Sequence, residues 1–259
     1  MRLHQENTFN VNMNVDLKVP SCWERLSQKQ LKYVYSLLAQ GYSYPEIKAY
    51  CLIRWSGLKI KHRFASGFIC ELGKLEFYLL AQQVAQATSA LDWIEEISFS
   101  PVRLEKIGKF KAVAADFDGV PFEKYLICDN LYQGYLETKN EEMLDDMGVF
   151  LYQSRHKITL TPMQRINVFY WFVSLKSYFA RCYRHLFKPM VSADSNMIKS
   201  EQSKYEMLQD AINAQIRALT KGDVTKEYEV LQLDTRRALT ELNTQAKEYE
   251  EMNRKYPMK

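Results

Sequence analysis

The chain has 259 residues, of which 47% are hydrophobic and 13% aromatic, so it carries enough apolar material for a substantial buried core. This composition excludes disorder throughout, and the low contents of Gly (9) and Pro (7) disfavour a loop-rich β-sandwich or barrel. The net charge of +4 is too small to identify a nucleic-acid-binding protein, so the distribution of charge matters more than its sum.

Neither the cysteines nor the N-terminal residues give a sign of secretion or metal binding. The cysteines are scattered, odd in number and without a C-x-x-C pair, which predicts reduced core residues at Cys22, Cys51, Cys70, Cys128 and Cys182. No zinc site, disulfide framework or cofactor is predicted. The opening MRLHQENTFN lacks the apolar region of a signal peptide, and no stretch approaches the ~18 apolar residues of a membrane span. We therefore expect synthesis in the cytoplasm and no membrane contact.

Strict alternation of apolar and polar residues in FNVNMNVDLKV, Phe9 to Val19, predicts a one-sided β-strand within an N-terminal arm, residues 1–20. Few other strands are visible to pair with it. The strand either completes a small sheet or adds to the edge of a neighbouring subunit. Its apolar side supplies candidate contacts between subunits at Val11, Met13 and Val15.

Helix signals dominate the next segment. Ser27 with Gln30 and Ser43 with Glu46 form capping-box patterns, which predict two helices that end at Gly41 and Gly57. The apolar spacing in LEFYLLAQQVAQATSALDWIEEI predicts one long helix, Leu75 to Ile97.

The motif Asp116-Phe117-Asp118-Gly119 follows a predicted short strand, Lys109 to Ala115, and precedes a predicted helix that Pro121 opens. Haloacid-dehalogenase-type phosphatases place a nucleophilic and an acidic Asp in a similar D-x-D-G arrangement. The flanks here are helical rather than alternating strands and helices, and Asp145-Asp146 lies too close to supply the metal-binding pair. The favoured interpretation is a tight turn.

The longest apolar and aromatic run, Thr161 to Lys188, predicts a central helix. Thr161 is its cap, Pro162 occupies the first helical position, and Gln164 completes a capping box. Apolar residues occur on every face of its first half, which requires burial on most sides, whereas its second half carries a basic face. A shorter helix, Glu141 to Gln153, precedes it, and Pro189 is expected to stop it.

Basic residues cluster in two acid-free stretches, from Glu46 to Glu71 and from Asp146 to Asp194. Two interpretations are open: a channel that contacts DNA phosphates without sequence preference, or pairing with acidic faces of the C-terminal helices or of another subunit. The second is favoured because the residues between the charges are needed for a core. The candidate patch comprises Arg54, Lys59, Lys61, Arg63, Arg181, Arg184 and Lys188.

Beyond Pro189 a polar linker leads to two predicted helices, Ser200 to Thr220 and Val224 to Arg254, which form a C-terminal hairpin, residues 191–259. Apolar residues in the second helix recur at alternating spacings of three and four, the pattern of a heptad seam. Candidate oligomer contacts on this seam are Leu231, Leu242 and Tyr249. The predicted fold is mainly α: a helical body, residues 21–190, around the aromatic helix, with one N-terminal strand, a minor β element and the hairpin.

Two segments resemble uncharacterised proteins of Bacteroidetes tailed phages and prophages, including crAss-like phages. The segment VPSCWERLSQKQLKYVYSLL is similar to their P-x-x-W-x-x-L-[ST]-x-x-Q-L opening, and RALTKGDVTKEYEVLQLDTRRALTELNTQAKEYEEMNRK is similar to their ends. The middle of the chain matches more loosely. The resemblance implies a structural or morphogenetic role in the neck, tail or capsid vertex, and it implies no catalytic residues.

The leading hypothesis is therefore a virion structural protein, a ring or connector subunit of the neck or tail. Its expected partners are copies of itself, other virion proteins such as the portal, neck or tail, and packaged DNA through sequence-independent contacts. Its expected location is the virion, after assembly in the host cytoplasm. The alternative is a tail assembly chaperone that is absent from the mature particle, and a D-x-D-G phosphatase is a distant third.

Overall fold

The computed structural model describes residues 17–187 and 204–255, and for residues 204–208 it describes the backbone alone. This part of the chain is mainly α-helical with a small antiparallel sheet, which confirms the predicted fold class at that level. The chain divides into two compact units, Met1–Ser98 and Phe99–Lys259. This division falls inside the segment 21–190 that the sequence predicts to be one body. The predicted boundary at residue 20 lies close to the first described residue, and the boundary at residue 190 lies outside the described residues; both stay predictions.

The first unit begins with two helices, α1 (Gln28–Ala39) and α2 (Tyr44–Ser56), where the capping patterns place them. The Ser27 amide donates to Gln30 Oε1 at 2.9 Å, and the Ser43 amide donates to Glu46 Oε2 at 2.8 Å. Gly57 ends α2 in a left-handed conformation with φ of 76°, which glycine adopts without steric cost.

Trp23 ties the start of the first unit to its end. It lies in a short 3-10 turn, and its indole Nε1 donates to the carbonyl oxygens of Trp93 at 3.0 Å and Glu96 at 2.9 Å. Its ring stacks on Tyr35 with a centroid distance of 6.1 Å. The tryptophan that carries the N-terminal resemblance therefore has a packing role in this fold.

A three-stranded antiparallel sheet of order β1-β2-β3 follows α2, with strands β1 (Lys59–Phe64), β2 (Gly67–Leu72) and β3 (Leu75–Leu80). The prediction of one helix from Leu75 to Ile97 is wrong. Its first residues form β3, and only α3 (Ala81–Ser89) is α-helical. The reason is burial: pairing places Phe77 opposite Cys70, and these side chains are 3% and 1% exposed in a cluster with Leu58.

The predicted N-terminal strand falls mostly outside the described residues. Leu17 to Val19, the end of it that is described, form no regular element. The Leu17 side chain packs against the cluster of Leu58, Cys70 and Phe77.

Gly67 allows β2 to approach β3 closely. A β-carbon at this position would lie 2.2 Å from the carbonyl oxygen of Leu79 and 2.9 Å from the Tyr78 ring. We expect Gly67→Ala to lower the free energy of unfolding of the first unit by about 2 kcal/mol, because backbone must shift to make room. Urea denaturation followed by tryptophan fluorescence measures this loss. Lys74→Ala, at an exposed turn position, is the matched control, and an equal effect of the two substitutions would contradict the close approach.

The second unit opens with a short hairpin, β4 (Lys106–Ile107) and β5 (Phe110–Lys111), so the strand predicted over Lys109 to Ala115 is much shorter than expected. Three helices follow: α4 (Phe122–Thr138), α5 (Glu142–Leu151) and α6 (Pro162–Cys182). The start of α6 confirms the predicted cap, since the Thr161 amide donates to Gln164 Oε1 at 2.9 Å.

The end of α6 differs from the prediction, because the helix stops at Cys182 rather than continuing to Lys188. Tyr183 leaves the helical conformation with φ of −118° and ψ of 59°. Asn243 Oδ1, from the last helix of the chain, then accepts the amides of His185 at 2.9 Å and Leu186 at 3.2 Å. A side chain distant in sequence therefore replaces the next helical carbonyl groups as the acceptor.

The core of the second unit is largely aromatic. Helix α6 contributes Trp171, Phe172 and Phe179, each 0% exposed. Phe172 lies within ring-contact distance of Tyr125 and Tyr132, with centroid separations of 6.3 and 5.3 Å. Such ring pairs add directional stabilisation to the burial of apolar area.

The C-terminal segment contains α7 (Lys204–Thr220), α8 (Glu227–Leu231) and α9 (Thr235–Lys255). The prediction of one helix from Val224 to Arg254 is wrong in one respect, because the chain leaves the helix between α8 and α9. There the Leu233 carbonyl accepts the Phe122 amide at 2.8 Å, and the Thr235 amide donates to the Val120 carbonyl at 2.8 Å. These long-range bonds take the place of helical ones.

Candidate interaction surfaces

The Asp116–Gly119 segment forms tight turns that anchor the start of α9. The Phe117 amide donates to the Ala114 carbonyl at 3.1 Å, and the Val120 amide donates to the Phe117 carbonyl at 3.2 Å. The Gly119 amide donates to Asp234 Oδ2 at 2.6 Å. The motif is therefore a docking loop for the break between α8 and α9.

The two carboxylates of this motif share a cationic partner. Asp116 Oδ2 lies 3.0 Å and Asp118 Oδ1 lies 3.6 Å from Arg236 Nη1 on α9. This pairing gives both groups a structural role and adds no support to the hypothesis of a nucleophilic Asp116. Within the described residues, no group of three or more His, Cys, Asp or Glu side chains is arranged to hold a metal ion.

Thr235, the first residue of α9, makes a buried hydrogen bond to the loop that precedes α4. It is 0% exposed, and its hydroxyl donates to the Val120 carbonyl at 2.7 Å. We expect Thr235→Val to destabilise the second unit by about 1–2 kcal/mol, because the carbonyl loses a buried donor while side-chain volume is kept. Thermal unfolding followed by circular dichroism measures the effect. Thr240→Val, on the exposed side of α9, is the control, and an equal loss there would refute the assignment.

The cations of the first basic stretch do not form one free surface. Lys59 and Lys61 bind Glu71 at 3.0 and 2.6 Å, and this hydrogen-bonded pairing raises the pKa of Lys61 and lowers that of Glu71. Arg63 lies directly opposite Phe68 of β2, on the face of the sheet opposite to the Lys59–Glu71 pair. The Arg63 guanidinium is 5.8 Å from the centre of the Phe68 ring. Arg54, on α2, lies 4.2 Å from the ring centre of Tyr33.

The second group of candidate cations lies at the end of α6, in the second unit. Arg181 donates to the Phe99 carbonyl and to Ser177 Oγ, and its guanidinium lies 4.5 Å from the centre of the Phe99 ring. Arg184 is exposed, and its Nε donates to the Arg181 carbonyl at 3.3 Å. Lys188 lies outside the described residues.

Other side chains of the second acid-free stretch pair with acids of this chain, but the favoured interpretation names the C-terminal helices or another subunit, and most of the observed partners lie elsewhere. His185 Nδ1 lies 3.2 Å from Glu250 Oε2 of α9, one of the C-terminal helices. Arg165 instead binds Asp145 of α5 at 2.8 Å, and Lys176 binds Asp129 of α4. The sequence indicates the pairing but not its partners, because the acids come from helices that precede α6.

The candidate oligomer contacts have different surroundings. Val11, Met13 and Val15 lie outside the described residues. Leu242 is 5% exposed in the core of its own chain, and Leu231 is half-buried against that core. Tyr249 is 60% exposed. Met252, which the sequence places on the same seam, is 59% exposed. On α9, the accessible part of the seam is therefore its C-terminal end.

Together these features define a mainly α-helical protein with a small antiparallel sheet and with exposed apolar side chains on its C-terminal helices. No protein-family model, curated protein or solved structure matches this chain. Among the described helices, none combines the length and apolar character needed to cross a membrane.

Proposed function

We propose that this protein is a structural subunit of a tailed-phage virion, located at the neck or tail, where it packs against copies of itself and against other virion proteins. The resemblance of both terminal segments to phage and prophage proteins supports the location. The observation that carries the assembly role is the exposure of large apolar side chains on the C-terminal helices: Val224 at 72%, Tyr228 at 74%, Tyr249 at 60% and Met252 at 59%.

Exposed apolar side chains of this size favour a role in assembly because their burial against another subunit removes apolar area from water. The four residues fall into two pairs, Val224 with Tyr228 and Tyr249 with Met252, about twenty residues apart along the C-terminal segment, so one subunit offers more than one contact. Several contacts per subunit are what a ring or connector requires, since each copy must meet two neighbours.

Contact with packaged DNA forms the second part of the proposal and rests on Arg184, whose side chain is exposed at the end of α6. Phosphate contacts of this kind are independent of base sequence and weaken steeply with salt. Arg184→Glu tests it, with DNA retention measured across a salt series. Arg181→Glu is a poorer test, because Arg181 also holds Phe99 within its own chain.

Quantitative mass spectrometry of purified particles tests the virion role. We expect the chain in mature particles at a fixed ratio to the portal protein. Presence in infected cells together with absence from mature particles would overturn this proposal and favour the assembly chaperone. Assay of the purified protein for phosphatase activity, with Asp116→Asn as the matched variant, tests the third hypothesis.

A further inference from the structure

The last turns of α9 present an apolar pair that nothing in the described chain covers. Tyr249 is 60% exposed and Met252 is 59% exposed. They continue the seam whose earlier positions, Thr235, Ala238 and Leu242, are at most 5% exposed in the core of the second unit. The same helix face is thus buried in its first half and open in its second.

Charges beside this pair indicate what covers it. With Leu242 and Tyr249 at heptad position a, and Gln245 and Met252 at position d, Glu248 and Lys255 both occupy position g. Both are exposed on α9. When two such helices pack antiparallel, position a of one meets position d of the other, and g positions of the two helices face each other.

We propose that a second copy of this chain docks on α9 in an antiparallel, two-fold arrangement. Tyr249 then packs against the partner's Met252, and Glu248 lies opposite the partner's Lys255. The two-fold axis repeats each contact, so two apolar contacts and two ion pairs form. The pairing follows from the helix face and its charges and does not depend on the proposed virion role.

Other occupants fit this face less well. A parallel pair of the same helices would place Glu248 opposite the partner's Asn253, which has no charge to pair with it. Nucleic acid is disfavoured because the charges beside the apolar pair are mixed: Glu248 lies near Lys255 in the sequence, and Glu251 lies 3.9 Å from Lys247, so no cationic surface forms there. The antiparallel arrangement is the one that uses all four side chains.

The contact is small, in the range below about 1,200 Å² in which protein interfaces are weak or transient. We therefore expect a monomer–dimer equilibrium in dilute solution rather than a permanent dimer. Sedimentation velocity of the full chain from about 5 µM to about 500 µM measures it. A monomer over this whole range would overturn the proposal.

Charge exchange tests the pairing. We expect Glu248→Lys and Lys255→Glu each to raise the dimer dissociation constant about tenfold, because each places like charges opposite one another twice. The double variant restores opposite charges and is expected to recover the original constant. Ile97→Ala, which removes an exposed apolar side chain of the first unit, is the control and should have no effect. Failure of the double variant to recover would overturn the antiparallel register.

Disulfide crosslinking tests the orientation independently of affinity. In a Cys182→Ser background, which removes an exposed thiol, Tyr249→Cys and Met252→Cys chains of different mass are mixed and oxidised. Antiparallel pairing gives mainly the mixed disulfide, whereas parallel pairing gives mainly the two like disulfides. A product made mostly of disulfides between identical variants, or one in random proportions, would contradict the proposal. Circular dichroism of each variant verifies that the fold is retained.

Discussion

Replacing Phe172 with Ala is expected to lower the free energy of unfolding of the second unit by about 3–5 kcal/mol. The ring is 0% exposed and contacts the rings of Phe117, Tyr125 and Tyr132 at centroid distances of 6.4, 6.3 and 5.3 Å. Its removal leaves a cavity among other rigid rings, which can close around it only in part. Urea denaturation followed by far-ultraviolet circular dichroism measures the loss.

Two positions on and just beyond the same helix provide a graded control. Phe169 is half-buried and contacts Tyr132 and Tyr135, so Phe169→Ala should cost less than Phe172→Ala. Arg184 is exposed, and Arg184→Ala should change stability by no more than about 0.5 kcal/mol. Equal effects of the three substitutions would show that Phe172 does not lie in a packed core.

The helices that begin with a capping box could be predicted most directly from the sequence. Ser27, Ser43 and Thr161 each cap a helix with the acidic or amide side chain three residues later, as expected. A capping box depends only on side chains within one turn, so the sequence contains all its participants. Where the sequence contains a capping box, the predicted helix start is confirmed.

The errors arise where distant residues decide the structure. The run LEFYLL fits both a helix face and a strand, and pairing with β2 makes it β3. Asn243 captures the amides beyond α6, and Val120 captures Thr235 between α8 and α9. Neither partner is within 50 residues along the chain, since Asn243 is 58 residues from His185 and Val120 is 115 residues from Thr235.

The candidate contacts show the same limit. Heptad spacing identified the seam that contains Leu242 and Tyr249, but spacing does not tell where the chain's own core ends along a helix. Leu242 proves to be 5% exposed and Tyr249 60% exposed. The basic clusters were visible in the sequence, whereas the acids that pair with Arg165 and Lys176 depend on how α4, α5 and α6 pack.

Arg165 is expected to matter for stability far more than an ordinary surface cation, because it neutralises a buried acid. Asp145 is 3% exposed, and Arg165 binds both its oxygens at 2.8 Å while the Leu160 amide donates to it at 3.2 Å. Burial alone would raise the pKa of Asp145, but the hydrogen bonds from Arg165 and Leu160 outweigh it and hold the pKa below its ordinary value.

Arg165→Ala should therefore destabilise the second unit by about 3 kcal/mol at neutral pH, since it leaves a buried carboxylate without its cation. The loss should shrink as the pH falls from neutrality through about 4, beginning above that value in the variant, where burial raises the pKa of Asp145, and continuing below it in the native protein. The native protein loses the contribution of ionised Asp145 as the pH drops through its lowered pKa, whereas the variant gains stability when the unpaired carboxylate takes up a proton. Urea denaturation at a series of pH values measures the difference.

Two further variants isolate the buried charge as the cause. Asp145→Asn combined with Arg165→Ala removes both charges, so this double variant should be more stable at neutral pH than Arg165→Ala alone. Lys157→Ala breaks an exposed pair with Glu142, 3.9 Å long, and should cost no more than about 0.5 kcal/mol. Two outcomes would contradict this explanation: a loss in Arg165→Ala that stays constant with pH, or a double variant that is less stable than Arg165→Ala. Either would indicate that lost packing of the arginine side chain is the cause, because packing does not depend on the protonation of Asp145.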